Sequence, residues 1–179
     1  MPDDDTPAGS WSPKARRTAP GAPPRALTVA ECSALMRLAV SRRPRPVTVV
    51  LGSSRDGVSR RAAGQLALAW EEQGGEVLDT VHWPEQAASW LRQARRFTAG
   101  QPDLWIVTGT PAGWVQMGRR LALSTDWAPA RTLATASLAT DELIACGGIG
   151  TFDQLRGVRR DGSGWEIVRT LFVDRPAMP

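Results

Sequence analysis

Short apolar runs alternate along this chain with longer stretches that carry an apolar residue every three or four positions. The first periodic stretch opens at Thr28-Val-Ala-Glu31, a capping box, and predicts a helix through Leu35, Met36 and Leu38 to about Ser41. Pro44 and Pro46 forbid its continuation. Val47 to Leu51 is short and β-branched, the pattern of a strand covered on both faces. A polar glycine loop, Gly52 to Gly57, leads into a helix to about Gln73 with Ala62, Leu66, Ala69 and Trp70 on one face. Gly74-Gly75 suits the end of that helix.

The same alternation continues. Glu76 to Thr80 reads as a second strand, and Pro84 to Thr98 as a helix with Ala87, Trp90, Leu91 and Ala94 inward and Arg92, Arg95 and Arg96 outward. Leu104 to Thr108 is a third strand. Gly109 to Gly113 is a second glycine loop, with Pro111 suited to the first turn of the helix that follows. That helix runs through Val115, Met117, Leu121 and Leu123. Thr132 to Ala136 is the fourth strand, and Thr140 caps a short helix ending near Gly148. Phe152 to Val158 and Trp165 to Val173, separated by the turn-rich Arg159 to Gly164, predict an antiparallel hairpin at one sheet edge. A helix followed by four strand–helix units argues for a three-layer α/β sandwich with a mostly parallel sheet, flavodoxin-like in topology. The domain spans residues 26–176. Residues 1–25, rich in Pro, Ala and Arg, show no apolar period and are expected to be disordered.

Composition narrows the function more than the fold. The 179 residues suffice for one domain with a real core. No apolar run approaches the roughly 18 residues of a membrane span. The net charge of +4 is spread over many arginines, and Arg42, Arg43, Arg45 and the Arg60/Arg61 pair are the only local clusters, so nucleic-acid binding is not supported. Two distant cysteines and one histidine do not make a zinc site, and no metal is expected. The start of the chain lacks the apolar core of a signal peptide, so a cytoplasmic location is expected.

Ligands of open α/β sheets sit beyond the carboxyl ends of the strands. The loops after the first, third and fourth strands therefore supply the candidate ligand-binding residues: Ser53, Ser54, Arg55, Asp56, Gly57, Gly109, Thr110, Pro111, Trp114 and Ser137. The hydroxyls can donate or accept around a polar ligand, Arg55 can hold an anion, and Trp114, placed in a loop, can stack. Free N–H groups at the helix start after Asp56 would attract a carboxylate or phosphate. Ordinary turn chemistry explains the same glycines and serines. Catalytic machinery is thin. His82 is the single histidine, no Gly-x-Ser-x-Gly elbow is present, and no Walker lysine follows the first glycine loop. No catalytic residue is assigned, and a binding role is expected over an enzymatic one.

Several phrases, taken in order, resemble a known family. Val47-Thr-Val-Val-Leu with Asp56-Gly57 and Glu72-Gln-Gly-Gly-Glu-Val77, then Pro102-Asp-Leu-Trp-Ile-Val-Thr-Gly109 and Gln116-Met-Gly-Arg-Arg120, then Asp126-Trp-Ala-Pro, Leu133-Ala-Thr-Ala-Ser-Leu-Ala139 and Glu142-Leu-Ile-Ala, and last Phe152-Asp-Gln-Leu-Arg-Gly157, look like the second lobe of type I periplasmic binding proteins, the branched-chain amino-acid receptors of ABC importers. The resemblance covers residues 30–158. It implies a ligand gripped between two lobes, with this lobe contributing Ser53 to Gly57, Gly109 to Pro111 and Thr135 to Ser137. Asp56, Thr110 and Pro111 stand where the family often has aromatic residues. Only one lobe is matched, and one lobe cannot close on a ligand like a clamshell. A homodimer or a protein partner would supply the second wall.

A second resemblance is to NADPH-dependent FMN reductases. Leu51-Gly-Ser-Ser-Arg55 looks like their phosphate loop, which implies FMN phosphate at Gly52 to Ser59. The loop Gly109-Thr-Pro-Ala-Gly113 lacks the acid and aromatic of that family. The reading that follows is a small-polar-molecule-binding or interaction domain without cofactor, with the FMN reductase as its alternative.

Overall fold

The computed structural model describes residues 23–176 of the chain. Most of the stretch 1–25, read above as disordered, lies outside them. The helix expected from the capping box is α1 (Val29–Val40), and both halves of the box are formed: Thr28 Oγ1 accepts from Glu31 N, and Thr28 N donates to the Glu31 carboxylate. Next come β1 (Thr48–Ser54), α2 (Gly57–Glu72), β2 (Glu76–Trp83), α3 (Leu91–Thr98), β3 (Leu104–Thr108), α4 (Pro111–Ser124), β4 (Thr132–Ala134), α5 (Asp141–Gly147), β5 (Arg156–Val158), β6 (Gly164–Val168) and β7 (Leu171–Arg175). One sheet holds all seven strands in the order β2-β1-β3-β4-β5-β6-β7. The first five are parallel, and β6 and β7 add on antiparallel.

Alternation along the strands divides the core. Val49, Leu51, Leu104 and Ile106 face one side and pack with Leu35, Leu66 and Trp70 from α1 and α2. Val50, Trp105 and Val107 face the other and pack with Phe97, Trp114, Met117 and Leu143 from α3, α4 and α5. These are the expected three layers. On the second face the aromatic rings adjoin: Trp114 lies 5.4 Å from Trp83, 5.7 Å from Trp127 and 5.8 Å from Phe152, centroid to centroid.

Several boundaries differ from the sequence reading: β4 ends at Ala134 rather than Ala136, and β5 starts at Arg156 rather than Phe152. β1 runs on to Ser54, and Gly52, Ser53 and Ser54 are buried strand residues where a loop was expected. Gly52 serves packing, because a Cβ there would come within 2.5 Å of Trp83 and 2.7 Å of Phe97. β2 likewise continues past Thr80 to Trp83. Residues 84–90 are not helical. Ala87 is exposed, and the inward face of α3 is Ala94 and Phe97. Within residues 84–90, Trp90 Nε1 donates to Pro84 O at 2.9 Å and Ser89 Oγ accepts from Leu91 N, so the helix starts late, at Leu91. Leu123, expected to face inward, is 81% exposed at the end of α4. Finally, the segment from Trp165 onward is two strands, not one. Arg169 takes a left-handed φ of 59°, its N–H held by Asp153, and the chain turns back to form β7.

Candidate functional site

A cavity of about 240 Å³ opens where β3 and β4 end. Its floor is Thr108 at the end of β3 with Gly109 and Thr110 after it, together with Thr135, Ala136 and Ser137 after β4. These backbones are tied to one another. Ser137 Oγ accepts from Gly109 N at 3.3 Å and lies 2.9 Å from Thr135 Oγ1, which in turn donates to Thr108 Oγ1. Glu31, on the first turn of α1 and 2% exposed, accepts from Ala136 N at 2.7 Å. The residue that completes the capping box thus also pins the loop after β4, over a sequence distance of 105. The roof is Pro23 to Leu27, the segment leading into α1, and it is fastened by Arg160 between β5 and β6. Arg160 Nη1 donates to Ala26 O at 2.9 Å, and Thr28 Oγ1 donates to Arg160 O at 2.8 Å.

Charge in the lining is balanced. Glu31 and Glu142 bring two carboxylates, Arg25 and Arg160 two guanidinium groups. Thr140 Oγ1 is buried and has no hydrogen-bond partner among the described residues, so one polar atom beside the cavity is left for a guest.

Gly109, Thr110, Pro111 and Ser137 among the expected site residues line this cavity; Ser53, Ser54, Arg55, Asp56, Gly57 and Trp114 do not. Ser54 is fully buried and supports the floor from beneath, its Oγ accepting from Thr110 N at 3.0 Å. Gly109, at φ 146°, passes so close to Ser54 that no side chain fits. Ser53 is also fully buried, 2.7 Å from Nδ1 of His82. Trp114 lies in α4 with no exposed surface, enclosed by other rings, so the loop position expected for it is corrected and stacking on a ligand is not open to it. Arg55 and Gly57 are exposed at the start of α2.

The helix starts are likewise filled from within. Asp56 is the N-cap of α2, its Oδ1 accepting from Val58 N at 3.0 Å and Ser59 N at 2.8 Å. Thr110 is the N-cap of α4, accepting from Gly113 N and donating to the Glu85 carboxylate, which lies over that helix start. Both positive helix ends therefore already face a carboxylate of the chain itself. An external anion would meet repulsion there, contrary to the expectation of open N–H groups.

Sequence reasoning missed the roof, Glu31 and Arg160. Glu31 carried a signal only as a capping residue. Pro23 to Leu27 precede the first helix, and Arg160 follows β5 rather than β3 or β4, so both reach the cavity only through tertiary packing.

No protein-family model matches the chain, and no curated protein matches it. Solved structures do. A leucine binding protein from Thermotoga maritima superposes with a TM-score of 0.59 at 19% identity, over 71% of this chain and 36% of its own. An extracellular ligand-binding receptor from Rhodopseudomonas palustris gives 0.61 at 14%, over 73% and 35%. A solute binding protein of an ABC transporter from the same species, strain BisB5, solved in complex with 3,4-dihydroxybenzoic acid, gives 0.58 at 14%, over 73% and 36%. The fold is that of a lobe of type I periplasmic binding proteins, as the sequence phrases implied. The chain spans about a third of the length of these structures.

Proposed function

We propose that the chain binds a small polar molecule in the cavity at the carboxyl ends of β3 and β4, without chemical turnover and without a cofactor. One observation carries this reading: four hydroxyl-bearing residues, two carboxylates and two guanidinium groups line a cavity next to a buried Thr140 hydroxyl that has no partner among the described residues. The balanced charge favours a neutral or zwitterionic guest of amino-acid size. The lobe fold supports the reading, because its solved neighbours carry names of ligand-binding proteins.

Those neighbours are about twice as long, and the second wall of such a cleft comes from another lobe. In this reading Pro23 to Leu27 takes over part of that role from within the chain. A second copy of the chain or a partner protein adds the remainder. The proposal keeps the expected cytoplasmic location.

The FMN reading finds less support in the geometry. Ser53 and Ser54 are buried and engaged, and the Asp56 carboxylate occupies the helix start that would hold the flavin phosphate.

The test is thermal denaturation against a panel of amino acids, hydroxybenzoates and other small polar compounds, with an absorption spectrum in added FMN. A guest at 100 times its Kd adds about 2.7 kcal/mol of stability, and Thr140→Val is expected to reduce that gain. A flavin spectrum that survives desalting would overturn the proposal.

A further inference from the structure

A second concave surface lies on the opposite side of α2 from the cavity. Ala62 faces the cavity, whereas Gly57, Arg60, Arg61 and Gly64 recur at helical spacing along the other flank. Across from them stand Thr80 and His82 of β2, the edge strand of the sheet. Together they border a shallow, open groove of about 410 Å³. Gly64 helps make the room, since no atom lies within 4 Å of where its Cβ would be.

The groove lining is cationic, and the Asp56 carboxylate that caps α2 lies only at its Gly57 end. Arg60 and Arg61 are exposed and have no ion-pair partner among the described residues, and no carboxylate lines the groove. Arg55 stands nearby at the head of α2. Of the carboxylates close by, Asp79 is on β2 and engaged by Arg96 of α3 through two hydrogen bonds of 2.6 Å. Asp56 is spent on the α2 cap. The Thr80 hydroxyl has no partner among the described residues, and His82 uses only Nδ1, on Ser53.

We propose that this groove is a binding site for a phosphate-type dianion, held by the Arg60 and Arg61 guanidinium groups and the Thr80 hydroxyl, with His82 at its side. Guanidinium forks match the oxygen geometry of such an anion. Two or more unpaired cations favour a double over a single negative charge. The site stands apart from the cavity and does not depend on the reading given to it.

The chain contains its own reporter, because His82 is its single histidine. Burial first, and then Arg60, Arg96 and Arg55, push the imidazole below its ordinary pKa, opposed by Asp79. A dianion bound beside Arg60 offsets the charge of that guanidinium at the imidazole and so raises it. The experiment follows the His82 ring by proton NMR across a pH titration of the full chain, in sulfate, in inorganic phosphate and in chloride at matched ionic strength. We expect the His82 pKa to rise saturably in sulfate and phosphate, and the apparent anion affinity to fall about tenfold or more in the Arg60→Gln, Arg61→Gln double variant, the loss of charge-assisted hydrogen bonds. Both side chains are exposed, so folding is retained, and the ring spectrum itself reports it. The same His82 titration in all three salts would overturn the site. So would a rise that survives unchanged in the double variant.

Discussion

The Ser53 hydroxyl lies 2.7 Å from Nδ1 of His82, joining neighbouring strands β1 and β2 just before both strands end. The contact holds a half-buried imidazole among arginines. Its pKa lies below the ordinary 6.5, chiefly through burial and then through Arg60, Arg96 and Arg55. Protonation therefore costs more in the folded chain than in the unfolded one. Above pH 6.5 both states are neutral at this residue and it adds no pH dependence. As pH falls from about 6.5 toward the lower folded value, the unfolded chain takes up the proton first, so stability drops across that window and levels off beneath it. Denaturant midpoints of the parent and His82→Gln, measured across this range in chloride, should show the drop in the parent and lose it in the variant.

Gly52 offers a sharper test of packing. It sits in the middle of a buried strand, with Trp83 and Phe97 where its Cβ would be. Gly52→Ala must push two rings that already contact each other and Trp114. Overpacking of this kind costs about 1–3 kcal/mol. The expected lower melting temperature and altered tryptophan fluorescence would both be missing if residue 52 were in an open loop.

That difference shows where the sequence was legible. Apolar periodicity and caps located α1, α2, β3 and α4, including the Thr28 box and Pro111 in the first turn. These are local signals, settled within a few residues. Gly-Ser-Ser after an apolar run reads as a turn by composition, yet β1 carries it inside because His82 and Thr110 satisfy the two hydroxyls from elsewhere in the chain. The start of α3 was misjudged because helical spacing extended to Pro84, while Ser89 and the Pro84 carbonyl provide non-helical partners. The site was legible at Gly109 to Pro111 and Ser137, which follow strands directly. It was not legible at Glu31, Arg25 or Arg160, whose approach is a product of the assembled fold.

Glu31 joins two distant elements with one buried carboxylate, so its removal has effects at both. Glu31→Ala leaves Ala136 N and Thr28 N without their acceptor. Buried hydrogen bonds to a charged group contribute about 1.5–3 kcal/mol each way, and the shorter one, to Ala136, should dominate. The variant should unfold at lower denaturant concentration by an amount in that range. Hydrogen exchange should speed up at Ala136 more than at residues of β1, which the carboxylate does not touch.

Arg160 separates the roof of the cavity from the stability of the fold. Its guanidinium holds Ala26 O at 2.9 Å while its side chain stays exposed. Arg160→Ala removes that bond but keeps the backbone carbonyl that receives Thr28 Oγ1. A solvent-facing hydrogen bond of this sort contributes about 0.5–1.5 kcal/mol, so the melting temperature should fall little. The segment Pro23 to Leu27 would nevertheless be released from one of its two fastenings, and a guest beneath it would lose cover. Ligand-induced stabilisation, measured with whichever compound the thermal panel identifies, should therefore shrink in Arg160→Ala by more than the parent stability does. Equal losses in the free and bound protein would show that Pro23 to Leu27 does not act as a wall, and that the guest is held by the β3 and β4 loops alone.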